Sequence, residues 1–251
     1  MRSGEWLPDN RVWIVCSNLT VGTAASITVD KCGYAGGAKG FITGNGPGGG
    51  IAQGTYCAGA SHGGYGATSD AYTYPKNRLP YGDAAAPDSP GSGGGSSNNG
   101  PGGPGGGAVR ITASGTVTVD GVISANGGDA LSNHTSGGSG GSVFIQCARF
   151  AGTNGTLRAR GGKGVGFGYA GGGGRIAVAY DPVDQAPQIM NMTFDTTPGI
   201  NGTADIGSLW FSDVAMLEAP GSQMFGQIYN LASWTVDSLT ITNSRLRFRD
   251  E

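Results

Sequence analysis

GGGAVRITASGTVTVDGVISANGG (105–128), GGSGGSVFIQCARFAGTNGTLRARGG (137–162) and GGGGRIAVAY (171–180) are three copies of one pattern. Each opens on glycines and continues as an alternating apolar and polar string. With Val109, Val143 and Ile176 taken as equivalent, the copies recur at steps of 34 and 33 residues. A fixed period of that length marks units that cannot bury an apolar face alone and must stack. RVWIVCSNLTVGTAASITVDKCGYAGG (11–37) fits the same template.

Within a copy the alternation has period two, so Val109, Ile111 and Ala113, then Val117 and Val119, share one side, and Arg110, Thr112, Thr116 and Thr118 the other. Each copy therefore contains at least two short strands. Parallel stacking at about 4.8 Å pairs their backbone groups and aligns equivalent side chains into ladders. The expected fold is all-β, a right-handed parallel β-helix with long glycine-rich insertions, occupying 1–251 as one domain. Cys16, Ala113, Cys147 and Tyr180 fall on one inner ladder, which separates Cys16 from Cys147 by a full copy, too far for a disulfide.

Two regions depart from this period. Between Phe41 and Pro104 the chain turns to Gly, Ser, Asn, Pro and Tyr, an insertion between copies (41–104). Its glycine runs are either flexible or packed as extended polyproline-like segments over a sheet face, where glycine permits close approach. After Asp181 the strings SLWFSD, QMFGQIY and SWTVDSLTITNSRLRF follow at about 20 residues, as plainer C-terminal coils (181–251).

Glycine supplies 51 residues and proline 12, yet the glycines lie between regular apolar strings, which argues for a folded chain. A net charge of -2 with 13% charged residues offers no basic surface for nucleic acid and no polybasic segment for anionic lipid. No apolar run reaches about 18 residues and none follows Met1, so a secretion signal is expected to lie upstream or to have been removed. Strand-like strings run close to Glu251, and the chain is expected to be a fragment of a larger secreted, extracellular protein. Cys16, Cys32, Cys57 and Cys147 allow three pairings; Cys32 with Cys57 is the expected one if any forms, the alternative being four buried free thiols.

The strings GGSGGSVFIQCARFAGTNGTLRARGGKGVGFGYAGGGGRIAVAY (137–180) and SLTITNSRLRF (238–248) resemble glycine-rich β-helix regions of large extracellular proteins of bacteria and plants. The likeness covers roughly Val109 to Tyr180 and the tail. In architecture and composition the chain also resembles the non-catalytic β-helix modules of secreted enzymes that degrade plant polysaccharides. That resemblance implies an appended carbohydrate-binding role and transfers no site residues.

Catalytic chemistry finds little material. Of three glutamates only Glu218 is interior, so an acid/base pair would be built chiefly from aspartates. Asp30 and Asp120 are expected at matching positions with Arg160 next in line, which reads as a solvated charge ladder, a weak calcium site at Asp30 and Asp120, or direct sugar contacts. Calcium is the one cofactor considered. His62 and His134 sit in glycine- and serine-rich loops and are expected to face solvent. No GxSxG or CxxC occurs, and GxGxxG-like strings join no strand to a helix.

Binding chemistry finds more. Sugar rings present apolar C–H faces that suit Trp or Tyr platforms flanked by hydrogen-bonding groups. Trp13 and Phe144 are expected on the outer face with Arg110 and Gln146, unless glycine segments cover that face and make it a second core. Tyr65, Tyr72, Tyr74 and Tyr81 belong to the insertion, as loop packing or as a sugar-binding wall. One of Trp210 and Phe211 must face outward. The expected function is a monomeric, non-catalytic module that holds a catalytic domain of the same parent chain on xylan-like cell-wall polysaccharide. The alternatives are a structural or adhesive segment of a bacterial surface protein, and a polysaccharide lyase or hydrolase.

Overall fold

The computed structural model describes residues 11–53, 56–68, 78–185, 191–219, 221–229 and 239–249. The first copy of the repeat forms three strands, β1 (Val12–Cys16), β2 (Leu19–Val21) and β3 (Ser26–Thr28). A short antiparallel pair, β4 (Ala52–Gln53) and β5 (Tyr56–Cys57), lies in the insertion. The second copy is β6 (Ala108–Ala113), β7 (Thr116–Val119) and β8 (Val122–Ser124), and the third β9 (Ser142–Gln146), β10 (Arg149–Ala151) and β11 (Thr156–Arg158). There follow β12 (Arg175–Ala179), β13 (Thr193–Asp195), β14 (Ser208–Phe211), a single helical turn α1 (Ala215–Glu218), β15 (Gln223–Ile228) and β16 (Arg245–Phe248).

The first strands pair in parallel in the order β1-β6-β9-β12-β14, and the last strands pair in parallel as β3-β8-β11-β13. β15 joins these two arms, because Gln223 to Phe225 pair with β13 while Gln227 and Ile228 pair with β14. One 11-stranded sheet thus curls round the core, and a smaller parallel sheet, β10-β7-β2, flanks it. The register aligns Val12, Val109, Val143, Ile176 and Leu209, so the equivalence that set the repeat is the observed one. Two residues on, Ile14, Ile111, Ile145, Val178 and Phe211 form a second inner ladder. The first three copies have three strands each, one more than the two that the alternation marks out, since the third is short and follows a tight corner.

These ladders point into one core, completed by Val117, Ile123, Phe150, Leu157 and Phe194. Burying a side chain of this size contributes about 1.5–3 kcal/mol, so the interior stack is the main stabilising term. Phe194 bridges the layers, with its ring edge-on to Phe211 at 5.1 Å and tilted to Phe150 at 6.3 Å. In the copy containing β12, no strand among the described residues pairs with the free edge of β10. There the buried Gln185 amide stands in: the Phe150 N–H donates to Gln185 Oε1 (2.9 Å) and Gln185 Nε2 donates to the Phe150 carbonyl (3.0 Å). Two backbone groups that would otherwise be stranded are satisfied by one side chain.

The segments that return from a last strand to the next first strand span 29–107, 125–141, 159–174 and 196–207. Their backbone bonds step by three. Gly91 N–H donates to the Gly106 carbonyl, Gly94 to Gly103 and Ser97 to Gly100. The same step recurs at Gly174 to Ala159, Gly171 to Gly162 and Gly168 to Val165, and between the two ends of the first segment at Tyr34 to Gly91, Gly37 to Gly94 and Gly40 to Ser97. Three residues per turn is the polyproline II period, so these segments pack as polyproline-like chains joined edge to edge. The described part of the insertion therefore takes the packed alternative. None of the glycines from Gly91 to Gly107 has positive φ, yet a Cβ at Gly105 would overlap the Gly91 carbonyl and one at Gly94 that of Ser136. What glycine supplies here is the missing Cβ rather than an unusual backbone angle.

Three expectations need correction. His62 is fully buried rather than facing solvent, because it lies between the packed glycine segments. The four cysteines are free: Cys32 is exposed, while the buried Cys57 thiol bonds the Ser96 carbonyl at 2.9 Å. Neither a Cys32–Cys57 bridge nor four buried thiols is present; burial of Cys57 and Cys147 pushes their thiol pKa values up to about 11 and about 12. Asp120 does not share a ladder with Asp30 and Arg160. It sits at the corner between β7 and β8, whereas Asp30 follows β3, a consequence of the third strand.

Candidate binding face on the first strands

The outer residues of the first strands alternate with the core ladders and align as Trp13, Arg110, Phe144, Ala177 and Trp210. Parallel, in-register pairing places successive members one above another, and the first three, all large, lie against one another. The Arg110 guanidinium lies 5.2 Å from the ring centroid of Trp13 and 5.2 Å from that of Phe144. Such cation–π contacts are worth about 0.5–1 kcal/mol when exposed and more when desolvated. Their main effect is to hold the guanidinium between the two rings.

This ladder passes from open to covered. Trp13 is 63% exposed and its neighbour Val15 is 72% exposed, whereas Phe144 is 5% exposed. Ser142 at the start of β9 donates to the Ser89 carbonyl (2.6 Å), and Arg175 at the start of β12 donates from Nε to the Tyr81 carbonyl (2.9 Å). The segment from Tyr81 to Ser92 therefore lies against this end of the face. Both readings of the outer face hold, at different heights: Phe144 belongs to a second, covered core, and Trp13 presents a free indole. Phe211 faces the core and Trp210 the outer ladder.

Beside Trp13, a pocket of about 80 Å³ is lined by Arg11, Trp13, Asp88, Ala108, Val109 and Arg110. At its rim Arg11 and Asp88 form an ion pair at 3.3 Å between half-exposed side chains. Two outward polar atoms of β6, Arg110 Nε and Thr112 Oγ1, are buried without a hydrogen-bond partner among the described residues. Gln146 is exposed at the far end of β9, in register with Thr112. Trp13, Arg110 and Gln146 therefore share this face, with Phe144 beneath its cover.

The other expected site residues lie elsewhere. Tyr65 is half-buried among the glycine segments, where its carbonyl accepts from Asp205 N–H (2.8 Å). Tyr81 uses its hydroxyl internally, donating to the Pro90 carbonyl (2.6 Å) and bonding Ser92 Oγ (2.8 Å), and burial raises its pKa above the ordinary phenol range. Tyr72 and Tyr74, like Trp234, lie outside the described residues.

The charged ladder is Asp30, Asn126 and Arg160. Asn126 donates from its backbone N–H to Asp30 (2.7 Å) and from Nδ2 to the same carboxylate (3.1 Å), and its Oδ1 accepts from the Arg160 N–H (2.9 Å). The Arg160 guanidinium pairs with Asp195, a buried carboxylate that sequence reading passes over because it looks like any strand-end aspartate. Asp120 instead accepts from Thr153 N–H (2.8 Å) and Oγ1 (3.0 Å). Asp30 and Asp120 are thus separate hydrogen-bond acceptors, and no group of three or more His, Cys, Asp or Glu with metal-binding geometry occurs among the described residues. Nor is any helix among them long and apolar enough to cross a membrane.

His62 was missed as a buried group. Its Nδ1 bonds the Gly140 carbonyl (2.8 Å), its ring packs on Tyr81 at 4.7 Å, and its Nε2 has no partner among the described residues. Burial and the nearby Arg175 charge lower its pKa to about 3. A neutral imidazole enclosed in this way is a structural element. Comparison with family models, with curated proteins and with solved structures gives no significant match.

Proposed function

We propose that this chain is a right-handed parallel β-helix that binds plant cell-wall polysaccharide of the xylan type without cleaving it, as a secreted module carried beside a catalytic domain. The in-register parallel ladders support the β-helix, and the strong preference of parallel crossovers for one hand supports the handedness. The observation that carries the binding reading is the exposed Trp13 indole, held on a regular strand beside a polar-rimmed pocket. An aromatic platform fixed by a sheet loses little entropy when a sugar ring stacks on it, and the Arg11–Asp88 pair beside it and the exposed Gln146 farther along the face offer hydrogen bonds. Affinity electrophoresis through gels containing xylan, glucan or pectin tests this. The native chain should be retarded by a xylan-type polymer, and Trp13→Ala should lose most of that retardation while keeping its far-ultraviolet circular dichroism. Unretarded migration in all three gels would sink the proposal.

The same geometry supports a second reading. Ladders in register and glycine segments bonded to one another make a stiff body, which suits a structural or adhesive spacer of a surface protein. That reading predicts no retardation on any of the polymers.

A further inference from the structure

Arg110 is a cation with no ion-paired carboxylate among the described residues. Its guanidinium lies between the rings of its two ladder neighbours, 5.2 Å from the centroid of Trp13 and 5.2 Å from that of Phe144. Its Nε is buried without a hydrogen-bond partner among the described residues, and no described carboxylate forms an ion pair with it. With Nε buried, the hydrogen-bonding groups left to a ligand are the two Nη amino groups, whose paired N–H donors match the two oxygens of a carboxylate. Arg110 also lines the pocket beside Trp13, and the one carboxylate there, Asp88, is engaged by Arg11.

We propose that this pocket recognises a sugar that carries a carboxylate, a uronic acid, with the acid on the edge of Arg110 and the ring over Trp13. The inference rests on the carbohydrate-binding reading above and makes it specific: a neutral chain can use Trp13, but only an acidic sugar satisfies Arg110. Uronic acids occur both as side groups on a xylan backbone and as the backbone of pectic polymers. The two sources share the carboxylate and differ in what surrounds it.

The test is calorimetry on the intact chain with three polymers: glucuronoxylan, the same glucuronoxylan with its carboxyl groups reduced to alcohols, and polygalacturonate. Dextran sulfate serves as a competitor in moderate salt, to detect unspecific attraction to polyanions. The expected result is that reduction weakens binding at least about tenfold, as loss of a charge-assisted pair requires. Polygalacturonate against glucuronoxylan then assigns the source. Arg110→Gln should abolish the preference for the acidic form while leaving residual binding through Trp13, and Arg110→Lys should restore only part of it, because an ammonium lacks the paired edge. Equal affinity for native and reduced glucuronoxylan overturns this inference and leaves the carbohydrate reading standing. Binding to neither overturns both. Displacement by dextran sulfate, or a preference that survives in Arg110→Gln, also overturns it. Should Arg110→Gln fail to fold, the native and reduced polymers still decide the question on the unaltered chain.

Discussion

Acid should loosen this protein through one residue. His62 is fully buried, and burial first, with the Arg175 charge second, lowers its pKa from 6.5 to about 3. In the unfolded chain it titrates near 6.5. Between those values the unfolded state binds a proton that the folded state refuses, so stability rises with pH across this window. The contribution is complete above pH 6.5, falls by about 1.4 kcal/mol per pH unit below it, and levels off near pH 3. Its full extent is about 5 kcal/mol, and at pH 4.5 about 3 kcal/mol has been lost. Urea unfolding of the native chain and of His62→Gln at pH 7.5 and 4.5 isolates the effect, because the carboxylates common to both cancel. The native chain should lose about 3 kcal/mol more than the variant over that interval, and its folded imidazole should show no titration above pH 4.5 by nuclear magnetic resonance. A folded-state midpoint near 6.5, or equal losses in the two proteins, would refute the reasoning.

Two further outcomes test the packing. Gly105→Ala should destabilise by roughly 2–3 kcal/mol, since the new methyl meets the Gly91 backbone and neither chain can yield; Gly22→Ala, with open space at its Cβ, should be within about 1 kcal/mol of neutral. Equal effects in thermal denaturation would show that the glycine segments do not pack as described. Gln185→Leu should strand the N–H and C=O of Phe150 at about 1–3 kcal/mol each and speed amide exchange at Phe150; unchanged exchange would remove the role given to this side chain.

Much of the scaffold was legible in the residues. The 33- to 34-residue step aligned Val109, Val143 and Ile176 correctly, and alternation placed Arg110 and Thr112 outside and Ile111 inside. What failed was arithmetic within a copy. Asp30 and Asp120 were matched at the end of a second strand; the third strand moves Asp120 to a corner and gives its place to Asn126. The insertion's polyproline-like packing was open in the sequence because glycine-rich composition suits a flexible loop and a packed chain equally. His62 was misplaced for the same reason, since an imidazole among glycines looks solvated until other glycine segments are known to close over it.

The sequence by itself determined the first strand of each copy, its ladders and which of its side chains face the core, because the direction of a Cβ alternates along a strand whatever lies around it. Tertiary structure alone decided what covers the outer face: Phe144 closed off, Trp13 open, Arg110 clamped between them, His62 enclosed. Those outcomes depend on where chain segments tens of residues away come to rest, and local residue order does not encode that position. Close approach of glycine backbones makes the docking possible, and its result appears only when the whole chain has folded.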